Sequence, residues 1–352
     1  MLIKKSTMTT SKGTILLTGG LGYIGSHTAI TLIENGYEVV IVDNLSNSSL
    51  STLGRIEKIL SKKITFFKSS IDDKKTLDNI FTNIEIDAVI HFSAFKSVTE
   101  SVQNPLEYYK NNVSNFIDFL KICDEHGMNR IIYSSSATVY SPNASSPITE
   151  DAATGPVNPY GNTKLCGEMI LRDLCSEQSN WQVGILRYFN PAGAHESALI
   201  GESPRGTPNN LMPYIADVAI GKRNHLNIYG DDYPTVDGTG VRDYIHVMDL
   251  AEGHLATLEY LLHTKESVTL NLGTGTGTSV LQLVKTYENA SGYKIPYHMT
   301  DRRPGDIAAC YADPERAKRL LGWKAKRSIH DMCLSSWKWI SQKTEYQRSE
   351  SE

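Results

Sequence analysis

The chain has 352 residues, enough to bury a large core, and its 40% hydrophobic and 21% charged composition excludes wholesale disorder. A formal net charge of -4 gives no general pull toward nucleic acid or an anionic membrane, and no apolar run is long enough to span a bilayer. The five cysteines, Cys123, Cys166, Cys175, Cys310 and Cys333, form no C-x-x-C pair, which speaks against a zinc centre or disulfide framework and for a reducing, cytoplasmic setting.

Residues 1–12 contain no apolar run and read as a loose tail, not a signal peptide. Short β-branched runs then follow at Thr14–Thr18, Glu38–Asp43, Ile64–Phe67, Ala88–Phe92, Arg130–Ser134 and Val183–Arg187. Between them the pattern predicts helices near Ser26–Asn35, Lys74–Thr82, Asn104–Glu125 and Pro159–Glu177. Strand and helix in alternation predict a parallel sheet covered on both faces, doubly wound, with its ligand at the carboxyl ends of the strands. After about Tyr188 the alternation loosens, and turns at Asn190–Gly193, Ser203–Asn210 and Gly230–Gly240 interrupt short helices, as in a smaller C-terminal substrate lobe.

The first chemical motif is Thr18-Gly-Gly-Leu-Gly-Tyr-Ile-Gly25, placed after the first strand and opening the first helix. Small residues there let the backbone approach a pyrophosphate, and the helix N-terminus offers N–H donors and a favourable dipole. Its spacing is Gly-x-x-Gly-x-x-Gly, and a glycine cluster alone fits any strand–helix turn. Asp43 sharpens the reading, because it ends the second strand where a carboxylate meets an adenosine ribose and repels a 2′-phosphate. The pair predicts a Rossmann-type fold that takes NAD in preference to NADP. A second run, Gly273-Thr-Gly-Thr-Gly277, lacks the strand–acid pair and reads as a structural turn with Ser279 as a helix N-cap.

The second motif is Tyr160-Gly-Asn-Thr-Lys164, with Ser134-Ser-Ser136 ending a strand upstream. Residues four apart share a helix face, so Lys164 lies one turn from Tyr160. A free tyrosine titrates near 10 and is a poor base at neutral pH. A neighbouring ammonium and a positive nicotinamide favour the tyrosinate, and Ser136 can bond the same substrate oxygen. By itself Tyr-x-x-x-Lys is an ordinary surface pair; after a dinucleotide turn and a serine-tipped strand it predicts catalysis.

From about Thr14 to about Ser341 the chain resembles the UDP-galactose 4-epimerases, extended short-chain dehydrogenases. The residues carrying the resemblance are TGGLGYIGSHT at Thr18–Thr28, SSSATVY at Ser134–Tyr140, LRYFNP at Leu186–Pro191, PNNLMPYI at Pro208–Ile215 and GVRDYIHVMDL at Gly240–Leu250. The resemblance implies that Tyr160 takes the proton of the sugar 4-hydroxyl while the C4 hydride passes to tightly bound NAD. The 4-keto sugar then turns over and takes the hydride back on its other face. Lys164 is implied to bind the nicotinamide ribose and depress the pKa of Tyr160, and Ser136 to orient the 4-oxygen. Gly19, Gly22, Tyr23, Ile24, Gly25, Asp43, Asn44, Ser70, Ile71, Phe92, Lys96, Asn111 and Phe189, with Tyr160 and Lys164, are implied to hold NAD. Ser136, Tyr160, Asn190, Asn210, Asn227, Tyr229, Arg242, Arg303, Asp306 and Cys310 are implied to hold the UDP-sugar. No metal is implied. Residues 13–187 are expected to form the NAD-binding domain, 188–342 the UDP-sugar domain and 343–352 a polar tail. A homodimer is expected, packed through helices such as Asn104–Glu125 and Pro159–Glu177, with neither nucleic acid nor membrane as a partner.

The chain departs from the family twice. Ser70 stands where an Asp commonly contacts the adenine amino group; a hydroxyl still accepts that bond. Cys310 stands where some members carry a tyrosine beside the sugar C2 substituent, and its smaller side chain leaves room for an acetamido group, so UDP-N-acetylglucosamine and UDP-N-acetylgalactosamine are expected substrates as well. Three other readings compete. A dehydratase on this fold needs an acid beside the strand-tip hydroxyl, and Ser136-Ala-Thr-Val139 has none. A net redox enzyme would release reduced cofactor at every turnover. A non-catalytic NAD-sensing protein would need no tyrosine–lysine pair.

Overall fold

A computed structural model describes residues 11–175, 180–204, 206, 208–303 and 305–349, the last seven of these by backbone alone. Residues 1–10 of the expected N-terminal tail and 350–352 of the C-terminal one lie outside the described residues. The first half runs β1 (Thr14–Thr18), α1 (Tyr23–Glu34), β2 (Glu38–Val42), α2 (Leu50–Leu60), β3 (Thr65–Phe67), α3 (Lys74–Asn83), β4 (Ala88–His91), α4 (Val98–Gln103), α5 (Pro105–Tyr109), α6 (Asn115–Glu125), β5 (Arg130–Ser136), α7 (Pro159–Leu174) and β6 (Gln182–Tyr188). The second half runs β7 (Asn190–Ala192), α8 (Leu211–Ala219), β8 (Leu226–Tyr229), β9 (Val241–His246), α9 (Val247–Thr264), β10 (Val268–Leu272), β11 (Gly277–Ser279), α10 (Val280–Ser291), β12 (Tyr297–Thr300), β13 (Ala309–Cys310), α11 (Glu315–Leu321) and α12 (Ile329–Ser349).

Seven parallel strands form the central sheet in the order β10-β6-β5-β4-β1-β2-β3. Because the chain winds from β1 first to one side and then to the other, the switch point lies between β1 and β4, where the expected ligand crevice falls. Both faces are covered. Ile15, Leu17 and Ile41 pack with Ile30 of α1 and Leu258 of α9, and Leu16, Val40 and Val89 pack with Phe116 and Phe119 of α6 and Leu171 of α7. The seventh strand comes from the second half of the chain: β10 joins β6 after α9 has crossed the sheet.

Three local features differ from the sequence pattern. Helix α2 is absent from the expected helices, although Leu53, Ile56 and Leu60 recur at helical spacing; Ile56 is buried, and Leu53, Ile59 and Leu60 pack against the same core. The helix expected over Asn104–Glu125 is α5, a π-turn over Lys110–Ser114, and α6. Within that turn Asn112 exchanges two hydrogen bonds with the Phe95 backbone and gives a third to Thr163 of α7, bonds formed only in the folded chain. Helix α7 ends at Leu174, and 176–179 lie outside the described residues.

In the second lobe β9 pairs with β7, β11 and β13, and β8 pairs with β12. A third core, including Met212, Ile215, Tyr287 and Met332, joins α8, α10 and α12. Ser279 caps α10 with a reciprocal bond to Gln282, and Asp243 holds the preceding glycine turn through Thr274 and Gly275, so this run is structural as read.

Candidate active site

The glycine turn sits at the switch point. Gly19 has φ +69°, and a Cβ there would lie 2.9 Å from the Ser93 nitrogen, so a glycine is required where the turn meets the segment after β4. Gly22 caps α1 without a side chain bonding the first-turn N–H groups, which leaves that helix end open to an anion; Tyr23, Ile24 and Gly25 form the turn. Asp43 is buried just past β2. It accepts bonds from the Leu21 nitrogen (3.0 Å), the Leu45 nitrogen (2.9 Å) and the Ser48 hydroxyl (2.7 Å). A carboxylate offers about four lone-pair sites, so this one fastens the turn and keeps capacity for a ribose hydroxyl. A cradle that a Cβ would fill, an uncapped helix end and a carboxylate with an acceptor site to spare together fit a dinucleotide.

The other expected cofactor residues lie on several elements. Asn44 turns its Oδ1 to the Ser46 nitrogen, Ser70 is half-buried between β3 and α3, and Ile71 is in the core. Phe92 packs 5.0 Å from the His254 ring, Asn111 donates to Asn112, and Phe189 is buried beside Val139. Tyr23 reaches across the crevice and donates to the Gly193 carbonyl at 2.7 Å, tying α1 to the second half. Lys96 pairs with Glu202 at 3.1 Å, and Asn210 donates to the same Glu202 oxygen at 2.7 Å. Glu202 thus links an expected cofactor residue to an expected substrate residue. No sequence pattern marks it, since a single loop glutamate carries no signal.

Helix α7 brings the second motif to the tip of β5. Asn158 caps the helix by accepting from the Gly161 nitrogen at 2.8 Å, and Pro159 at the first position presets its φ, which places Tyr160 in the first turn. A Cβ at Gly161 would lie 2.8 Å from the Thr138 carbonyl, so glycine lets the helix abut the segment carrying Ser136. The Ser136 hydroxyl accepts from both the nitrogen (3.2 Å) and the hydroxyl (3.0 Å) of Thr138. Its own proton is then free for Tyr160, whose pKa the serine draws down. Thr138 was not among the expected site residues, although it lies within the quoted SSSATVY.

Burial raises the pKa of Tyr160, and Ser136 opposes the shift. The downward pull expected from Lys164 does not set the phenol in the protein alone. Lys164 is buried, donates to the Ser134 carbonyl at 2.6 Å, and lies 5.0 Å from the Tyr133 ring centroid. Burial pushes its pKa down to about 7, and Glu168 works in the opposite direction.

The second lobe contributes a polar cluster of its own. Arg242 of β9 donates to the carbonyls of Val241 and Ile307 and lies 3.9 Å from Asp306, which accepts from Arg303 at 2.9 Å. Arg303 sits 4.7 Å over the Tyr229 ring of β8, on which Asn227 also lies; Asn190 begins β7. Cys310 is in register with Arg242 across β13 and β9 and packs against the cluster of Val139 and Phe189. Two guanidiniums held on one carboxylate beside an exposed aromatic ring suit a nucleoside diphosphate, by charge-assisted bonds and stacking.

A family model described as GDP-mannose 4,6 dehydratase matches residues 16–335, which puts the chain in the class of sugar-nucleotide enzymes on this fold. The UDP-glucose 4-epimerase of Bacillus subtilis is 55% identical over 327 residues, covering 93% of this chain and 96% of that protein. The structure of the UDP-glucose 4-epimerase of Stenotrophomonas maltophila, with bound NAD and formylated UDP-arabinopyranose, superposes with a TM-score of 0.93 at 47% identity, covering 95% of this chain and 99% of that one. That of the UDP-Glc/GlcNAc 4-epimerase of Campylobacter jejuni gives 0.81 at 36% identity, covering 94% and 99%. The chain belongs to the UDP-glucose 4-epimerase family.

Proposed function

We propose that this chain catalyses reversible epimerisation of UDP-galactose and UDP-glucose at C4, with NAD as its resident cofactor. The observation that carries the reading is the meeting of Tyr160, Ser136 and Lys164 at the carboxyl end of β5. Bound NAD supplies a reversible two-electron acceptor for C4. The Tyr160 oxygen takes the proton of the 4-hydroxyl as the carbonyl forms and returns it as the carbonyl is reduced. Ser136, with Thr138 donating into its oxygen, directs its proton to the reacting oxygen, and the buried Lys164 ammonium favours the tyrosinate. Gly19, Gly22, Tyr23, Ile24, Gly25, Asp43, Asn44, Ser70, Ile71, Phe92, Lys96, Asn111 and Phe189 hold the cofactor. Asn190, Asn210, Asn227, Tyr229, Arg242, Arg303 and Asp306 hold the UDP-sugar, and Cys310 faces its C2 substituent. A dehydratase is disfavoured because the turn Ala137–Val139 beside Ser136 carries no acid.

In this reading 13–187, with β10 added to its sheet, serve the cofactor, and the rest of 188–342 serves the UDP-sugar. The substrate range extends to the N-acetylhexosamine counterparts, because a thiol stands at Cys310. The enzyme works as a homodimer: α4, α5 and α7 pack together and leave Val98, Val102, Leu106 and Met169 exposed, Leu106 by 81%, a face that a second copy would cover. It resides in the cytoplasm, in keeping with five free cysteines. The testing experiment incubates the purified protein with UDP-galactose and no added cofactor, and analyses the products. UDP-glucose should accumulate to a constant ratio. Absence of UDP-glucose, or steady reduction of added NAD, would overturn the assignment.

A further inference from the structure

Helix α7 carries another ionisable group that the proposed chemistry leaves unused. Glu168 follows Lys164 by four residues, one turn along the same face, and is fully buried. Its Oε1 accepts from the Ser135 hydroxyl at 2.5 Å and from Arg187 Nε at 2.9 Å; its Oε2 accepts from Arg187 Nη2 at 2.7 Å and Arg172 Nη2 at 2.7 Å. Ser135 and Arg187 are partners in the β5–β6 register, so one carboxylate clasps the ends of two adjacent strands. Arg187 is enclosed as well, donating to the Glu150 carbonyl at 3.0 Å and lying 4.7 Å over the Tyr140 ring.

Packing alone is a poor account of this arrangement. Apolar residues of similar volume would join the same surfaces without the desolvation cost of a buried ion pair. The location is more informative. Ser135 lies between Ser134, whose carbonyl receives the Lys164 ammonium, and Ser136, which draws down the pKa of Tyr160. Around Lys164 stand Tyr133 of β5, His91 of β4 and Tyr160 of its own helix, with Tyr188 of β6 behind Tyr160. Burial holds His91 neutral, with a pKa near 3, and lifts that of Tyr188, so neither brings charge. Among the described residues the anion acting on Lys164 is Glu168.

We propose that Glu168 is a positioning residue for the proton-transfer pair: through Ser135 and Arg187 it fixes the Ser134–Ser136 strand end against α7, and it supplies the negative charge that Lys164 faces. This rests on the reading of Tyr160 and Lys164 as that pair. Burial already pushes Lys164 down to about 7, so loss of the carboxylate moves it lower still and costs the tyrosinate its cation within the working pH range.

The test uses the enzyme as purified and two variants. Glu168→Gln removes the charge; Glu168→Gln with Arg187→Met also removes the arginine that would otherwise be left buried and unpaired. Two quantities are measured, the pH profile of kcat/KM for UDP-galactose and the ultraviolet difference titration of tyrosinate, with Tyr160→Phe as the subtraction. In both variants the alkaline limb of the profile should move down by about one pH unit and the Tyr160 titration should move up. At about pH 8, kcat should fall about tenfold with little change in KM, and Glu168→Asp should recover part of it. A folded variant whose profile keeps its shape, lowered uniformly or not at all, overturns the inference. If the subtraction shows no ionising Tyr160 in the unmodified enzyme, the proton-transfer reading itself fails. If Tyr160 ionises but ignores Glu168, this inference alone fails.

Discussion

Cys310 lies directly beside Arg242 in the parallel pairing of β13 with β9, so the residue expected at the sugar C2 substituent is registered to the arginine expected at the diphosphate. Asp243, next in β9, accepts from the Ala312 nitrogen at 3.1 Å and holds that register. In the proposed function a phenol at 310 would compete with the C2 substituent for space, and overpacking costs about 1–3 kcal/mol, or roughly ten- to a hundredfold in rate. Cys310→Tyr should abolish turnover of UDP-N-acetylgalactosamine while sparing that of UDP-galactose. An unchanged ratio of the two rates in this variant would contradict the account.

In the proposed function, removing the phenol oxygen of Tyr160 removes the base. Tyr160→Phe should lower kcat by roughly a hundred- to ten-thousandfold and leave UDP-sugar binding, measured by calorimetry, nearly unchanged. Lys164→Ala should also cripple turnover and raise the pH at which Tyr160 ionises. Retention of more than about a tenth of the activity by Tyr160→Phe would remove it from this role.

Asp43 fastens the glycine turn, and in the proposed function its spare acceptor site takes a ribose hydroxyl, so the purified protein should carry NAD and not NADP. Mass spectrometry of the supernatant after denaturation reads this directly, and NADP as the main species would refute it. Ser70→Asp should slow the loss of cofactor on dialysis; equal rates would show that Ser70 does not limit retention.

Four buried histidines set the acid limit of stability. Burial lowers His27 and His91 to about 3 and His246 and His254 to about 4. Their folded values lie below the unfolded one of about 6.5, so the unfolded chain binds protons first as pH falls. The stability these rings contribute should be full above about 6.5 and lost from there toward about 4 for His246 and His254 and about 3 for His27 and His91, each on the order of 1 kcal/mol per pH unit. Urea midpoints should therefore fall steadily from about pH 7 to about pH 5. A flat profile over that range would show that these rings are not held neutral.

What could be read in the sequence was what short range encodes. The glycine turn, Asp43 at a strand end, and Tyr160 one helical turn from Lys164 are spacings within one strand–helix unit, and the six early strands show as β-branched runs. What could not be read depends on distant segments. Val268–Leu272 is an ordinary apolar run until α9 returns it to β6, and the π-turn at Lys110–Ser114 forms around bonds from Asn112 to Phe95 and Thr163. Glu202 and Glu168 are single carboxylates in unremarkable stretches, and their partners come from other elements. The direction of the Tyr160 shift was out of reach for the same reason, since burial is a property of the whole fold.

The most direct measurement of the central claim follows the hydrogen at C4. UDP-galactose carrying deuterium at C4 is incubated with the purified enzyme in ordinary water, and the UDP-glucose formed is analysed by mass spectrometry and NMR. Epimerisation by reversible oxidation within one closed site keeps the deuterium at C4 of the product. Product whose C4 deuterium has been exchanged for solvent hydrogen would contradict the account.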